Sequence, residues 1–206
     1  MVKITKTQGW ADGTHIDAHE GWNNGSRNRD LLESDCFAKC YICEDKPKDV
    51  KNLTVDHIIS KDNDPRLEYV WENLLLACAY CNHEVKGSKY NGIINPCETD
   101  PEEKINFEMS YDRRNVVIST DSFDKAVLET KQLLDEVYSN RMLTRKLTAE
   151  LNTFDKYIPN AISGDDWAIE YIQEAVSRCS IFAAFKRKIV RDDPQLSRTL
   201  TETSQT

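Results

Sequence analysis

The chain has 206 residues, 27 Lys+Arg against 35 Asp+Glu, and a formal net charge of −8, with mean hydropathy −0.62. No run approaches the roughly 20 apolar residues that a membrane span needs, and four Trp, eight Tyr and six Phe supply core for a folded chain. The polar start MVKITKTQGW carries no export signal, so the expectation is a cytoplasmic protein without membrane association, whose seven cysteines are thiols or metal ligands and not disulfides.

Residues 1–37 read as a polar, turn-rich arm with Trp10 and Trp22 as isolated anchors and a short helix from Asp30 to Cys36. His15 and His19 flank Asp17, but no third ligand is apparent and both read as surface histidines. Residues 38–120 are denser in chemistry. Leu53–Ile59 is rich in β-branched residues and predicts a strand, and Asn73–Ala77 a second, buried one. Cys78 to Gly87 predicts a helix that Gly87 stops. Residues 105–111 and 116–118 alternate apolar and polar around a turn and predict a hairpin. From Asp121 the period becomes helical. One pattern runs through Leu133 and Leu147 to about Phe154, unbroken or with one break, capped by Asp121 or Ser122 and ended by Pro159. A second helix is expected from Asp165 to Val190, with Cys179 in its core. This gives a helical subdomain at 121–191, a candidate for partner docking, and a flexible tail at 192–206.

Cys40-Tyr-Ile-Cys43 and Cys78-Ala-Tyr-Cys81 are two CxxC pairs with 34 residues between them. Each pair presents two thiolates from one tight turn, and two pairs complete a tetrahedral Zn2+ site. A site closed by four protein ligands holds shape and leaves no position for chemistry. The alternative is four buried, unligated thiols. Between the pairs lies Val55-Asp56-His57-Ile58-Ile59. A lone His on an apolar strand is commonly a satisfied core residue, but here an Asp precedes it, Asn73 opens the second apolar run, and Asn82-His83 follows Cys81 directly.

Cys-x2-Cys, Val-Asp-His-Ile-Ile, then Asn-Leu-Leu-Leu-x-Cys-x2-Cys-Asn with a following Lys-Gly resembles the HNH endonuclease motif across residues 40–90. The resemblance implies an α+β protein: a ββα-metal module with structural zinc, here followed by the hairpin and the C-terminal helices. It implies His57 as general base, Asn73 as the residue that orients it, and Asp56 with Asn82, or His83 in place of Asn82, as ligands of a catalytic Mg2+ or Mn2+. Lys86 lies four residues after Asn82, where the family has three. Lys86 and Lys89 are candidate phosphate contacts, or solvated helix lysines. Trp71 to Cys78, Cys81-Asn82, Lys86-Gly87 and Ile94-Asn95-Pro96 further resemble the PtuB-type nuclease subunits of Septu and retron-associated antiphage systems, which implies an ATPase partner of PtuA type. The expected substrate is nucleic acid, DNA ahead of RNA such as tRNA. A zinc-ribbon adaptor without catalysis is the remaining alternative. The acidic balance suits a nuclease whose partner supplies much of the basic surface, although Arg113-Arg114, Arg141, Arg145-Lys146 and Lys186-Arg187-Lys188 are local cationic clusters.

Overall fold

The computed structural model describes residues 1–9 and 16–203, with side chains up to residue 201. Trp10 and His15, singled out above, lie outside the described residues. The arm adds little regular structure of its own and is instead packed on the rest. Met1, Val2 and Ile4 are buried, Ile4 N–H donates to Pro96 C=O, 3.0 Å, and Trp71 Nε1 donates to Thr7 C=O, 2.9 Å. Helix α1 spans Arg27–Asp35, begun by a Ser26 cap that accepts from Arg29 N–H.

Strands β1 (Leu53–His57) and β2 (Leu74–Cys78) pair antiparallel, with Asp56 opposite Leu75 and His57 opposite Leu74. Two short strands alone are marginal in water. Here β2 is covered so completely that Leu74, Leu75, Leu76 and Ala77 are all fully buried, which is why its sequence runs apolar and does not alternate. The arm and α1 help satisfy its backbone: Lys6 Nζ donates to Leu74 C=O, 2.9 Å, and Leu76 N–H donates to the Cys36 sulfur, 3.4 Å.

Beyond β2 the chain winds as a π-helical segment, Tyr80–Lys86. It ends at Gly87, whose φ of 46° lies in the left-handed region and whose N–H closes a five-residue bond on Asn82 C=O, 2.8 Å. Strands β3 (Asn106–Met109) and β4 (Val116–Ser119) form the expected hairpin as a separate two-stranded sheet.

The helical half departs from its sequence reading at several points. The long pattern from Asp121 divides into α2 (Lys125–Tyr138) and α3 (Arg141–Asp155). Asp124, and not Asp121 or Ser122, caps α2, and Asn140 breaks the run by capping α3. Pro159 does not stop a helix but sits in the first turn of α4 (Ile158–Ile162), where its missing N–H costs nothing. The helix expected over 165–190 is two, α5 (Asp166–Ala175) and α6 (Ala183–Asp192). The chain turns between them, with Phe182 at φ 51°, and Cys179 in that turn is exposed, not core. The tail expected at 192–206 contains α7 (Pro194–Thr203), tied down by fully buried Leu196.

Two apolar clusters result. The larger joins arm, sheets, α2, α3 and the start of α6. The smaller unites Phe154, Ala161, Ala168, Ile169, Ile172, Ala175 and Leu196 from α3, α4, α5 and α7. The apolar helix faces at 121–191 are therefore largely spent on one another. Among the described residues, no helix is long and apolar enough to cross a membrane.

Candidate active site

The four cysteines of the CxxC pairs converge. Their sulfurs all lie within 4.8 Å of one another, with Cys43 and Cys78 sulfurs 4.0 Å apart. Tetrahedral zinc with Zn–S of about 2.3 Å puts sulfurs about 3.8 Å apart, so the donor set fits. The charge balance fits as well. Hydrogen bonds from Cys40, Cys43 and Cys81 hold the Cys78 thiol far below its ordinary range, while Cys43 and Cys81 are pushed well up by the sulfurs around them. Thiols crowded in this way share too few charges until a divalent cation neutralises the cage. Cys36, at about 12, and Cys97, at about 11, are both raised by burial and stand outside the cage.

The cage fixes the ends of the site. The first knuckle carries Tyr41, whose N–H bonds to Leu76 C=O, 2.8 Å, and whose hydroxyl donates to Asp56 Oδ2, 2.8 Å, in the interior. The second knuckle opens the π-helical segment, which lays Asn82 and Lys86 against β1. Asn82 Nδ2 donates to Thr54 Oγ1, 3.0 Å, and to Val55 C=O, 3.2 Å. Lys86 Nζ donates to Asp56 Oδ1, 3.1 Å, and to His57 C=O, 2.6 Å. A π turn accommodates one more residue than an α turn and is frequent at functional sites. That winding absorbs the four-residue spacing from Asn82 to Lys86, so both side chains still reach the same strand. His83, the alternative to Asn82, is exposed.

Asp56 is 4% exposed. Burial pushes its carboxyl above the ordinary carboxylate range, against the pull of Lys86 and the Tyr41 hydroxyl. Burial and the adjacent carboxylate also raise Tyr41 well above the phenol range, so it remains a donor. A carboxylate has about four acceptor positions, and Tyr41 and Lys86 occupy two of them. Asn82 spends its amide hydrogens on β1, which leaves Oδ1 as its ligating atom. Asp56 and Asn82 Oδ1 are hard oxygen donors, the type Mg2+ and Mn2+ take.

His57 is half-buried at the end of β1. Its Nε2 lies 3.0 Å from Glu68 C=O. A carbonyl only accepts, so Nε2 donates to it, and in the neutral ring this tautomer puts the lone pair on Nδ1. Nδ1 has no hydrogen-bond partner among the described residues, which is the state a general base requires. Asn73 does not touch the ring. Its Oδ1 accepts from Ile59 N–H, 2.9 Å, and its Nδ2 donates to Ile59 C=O, 3.0 Å, and Leu67 C=O, 3.1 Å. It thereby pins both ends of the loop that presents the Glu68 carbonyl. Lys86 is fully buried on Asp56. Lys89 is exposed and paired with Glu136.

Three contributors escaped the sequence reading. Tyr41 could have been suspected from its place inside the first CxxC pair. The Glu68 carbonyl has no side-chain signature. Trp22, read as an anchor of the arm, sets its ring edge-on to His57 at 6.0 Å between centroids and 5.5 Å from Tyr69, on which His19 stacks at 4.3 Å. The arm thus sets one aromatic ring, Trp22, against the imidazole.

The comparisons with known proteins fall on this region. Residues 40–87 match the family model of the HNH endonuclease. The chain is also similar to the Septu protein PtuB of Bacillus thuringiensis, 39% identical over 71 residues. That stretch is 32% of this chain and spans 27% of the relative's length. The cysteine cage, the ββ pair, the π-helical segment and His57 all lie inside the matched segment, and residues 40–87 are an HNH endonuclease domain.

Proposed function

We propose that this chain is a metal-dependent endonuclease that hydrolyses phosphodiester bonds of DNA, as the effector of an antiphage defence system that also contains an ATPase. The observation that carries the reading is the His57 tautomer: Nε2 is committed to Glu68 C=O, 3.0 Å, and Nδ1 is left as a base within a domain of the HNH endonuclease family.

The chain's own residues divide the work. His57 Nδ1 takes the proton from the attacking water. Glu68 C=O fixes the tautomer, and Asn73 fixes the loop that carries Glu68. Asp56 and Asn82 would hold Mg2+ or Mn2+, with Asp56 oriented by Tyr41 and Lys86. Such an ion supplies Lewis-acid stabilisation of charge on the phosphate and the leaving oxygen. The zinc cage holds the two segments together without joining the chemistry.

The defence role and the ATPase partner rest on the similarity to a protein named Septu PtuB. Two features favour help from a partner: the net charge of −8 and the internal pairing of several basic side chains, such as Lys186 with Glu150 and Arg187 with Glu102. The test is a cleavage panel of DNA and RNA substrates, with Mg2+ or with EDTA, and with or without the adjacent ATPase and ATP. Metal-dependent cleavage of DNA is expected. Cleavage of RNA alone would move the substrate to RNA, and no cleavage of either under any arm would contradict the reading.

A further inference from the structure

A cleft of the described residues lies outside the HNH domain. It has a volume of about 740 Å3 and is walled by the β3–β4 turn on one side and the junction of α2 and α3 on the other. Arg113 and Arg114 come from the turn, and Arg141 and Arg145 from the first turns of α3. The two pairs are far apart in sequence, and the fold brings all four residues to the lining of one groove, with Arg114 also near Asp112, 3.7 Å. Asp135 is the one acid in its lining, and it is paired with Lys131, 2.6 Å.

Four observations give this groove a chemical preference. Arg141 and Arg145 are exposed, four apart on one helix face, and neither has a hydrogen bond or ion pair among the described residues. Arg113 is held in the left-handed region at φ 56°. Its carbonyl accepts from Thr148 Oγ1, 3.0 Å, and one arm of its guanidinium pairs with Asp155, 2.7 Å, while its Nη1 is buried without a partner. The groove also meets the N-terminal end of the 15-residue helix α3, where the dipole favours anions. Finally, Tyr111 is fully exposed at the tip of the same turn, as a stacking surface for a base would be.

The groove is fastened to the nuclease domain. Tyr138, in its floor, donates to Cys43 C=O of the first knuckle, 3.0 Å. Tyr80 of the second knuckle donates to the Glu136 and Val137 carbonyls at the end of α2. The groove is therefore tied to both cysteine knuckles of the domain that carries Asp56, His57 and Asn82.

We infer that the cleft formed by Arg113, Arg114, Arg141 and Arg145 binds the phosphate backbone of the nucleic acid beside the segment being cut. The inference rests on the nuclease reading and adds a second, positioning site to it. The measurement is fluorescence anisotropy of labelled single-stranded DNA, duplex DNA and single-stranded RNA over a salt series, with the full chain carrying His57→Ala so that no turnover occurs. The same background receives either Arg141→Ala with Arg145→Ala, or a charge-matched control, Lys156→Ala with Arg198→Ala, both exposed and outside the groove. Circular dichroism verifies that each variant is folded. The groove pair should weaken binding roughly tenfold and reduce the slope of log affinity against log salt by about 1.5, two phosphate contacts' worth. The control pair should change neither.

Unchanged affinity and slope in the groove variant would overturn the cleft and leave the nuclease reading standing. Equal losses in groove and control variants would overturn it too, as a general effect of charge. No binding by the parent protein overturns the cleft, and only the further absence of metal-dependent cleavage with His57 present would take the nuclease reading with it.

Discussion

The HNH domain and the C-terminal helices solve the same problem of stability by different means. Residues 40–87 contain two five-residue strands and one short π-helical segment, too little surface to close a core alone. Four cysteine sulfurs close the loop between the knuckles instead. Helices α4, α5 and α7 and the end of α3 need no such staple, because Phe154, Ile169, Ile172 and Leu196 bury against one another. The difference concerns what each region can spare. A metal bound by the four cysteines would free β1 to carry Asp56 and His57 rather than only core residues, whereas the helical cluster spends its faces on packing and offers charge at its edges.

The comparison breaks most sharply on removal of zinc. Structural zinc sites carry about 10–16 kcal/mol of apparent binding free energy. Chelation, or Cys81→Ser, should therefore erase hydrogen-exchange protection in β1 and β2 while the α5–α7 amides keep theirs. Uniform loss of protection would mean that the two regions form one cooperative unit.

The complementary cut is Phe154→Ala, which should cost about 3–5 kcal/mol by opening a cavity in the helical cluster. Thermal unfolding reads the loss, and zinc content by atomic absorption should stay at one per chain. A smaller perturbation sharpens the site itself. Asn73→Ala removes the three hydrogen bonds that pin the loop between Ile59 and Leu67, at about 1–3 kcal/mol for buried partners left open. Cleavage should slow because Glu68 C=O no longer holds the ring. Nitrogen-15 NMR of His57 should show the tautomers mixing, an outcome that lost stability alone would not give. The smallest expected change is from Trp22→Ala, which removes an edge-on ring worth about 0.5–1.5 kcal/mol. It should disturb the His57 resonances with little shift in melting.

Much of the HNH domain was legible because spacing encodes it. Two CxxC pairs, a strand around Asp56-His57, the Asn73 run and Gly87 as a helix stop all stand where the sequence puts them. What stayed hidden was of another kind. The π winding is a hydrogen-bond register and has no residue signature. The partner of His57 is a backbone carbonyl, invisible to any reading of side chains. In the helical half, periodicity revealed the apolar faces but not the breaks, because Asn140 and the 176–182 turn interrupt patterns that stay in phase across them. The groove arginines could be seen as two clusters, and only tertiary structure joins them.

The central claim is that the zinc-held scaffold presents His57 Nδ1 as the base of a metal-dependent hydrolysis. Its most direct test is single-turnover cleavage by the zinc-loaded chain and its His57→Ala variant, with Mg2+ present and both shown to be folded and of equal zinc content. The account predicts a loss of about 10²–10⁴-fold. Equal rates in the two proteins would contradict it.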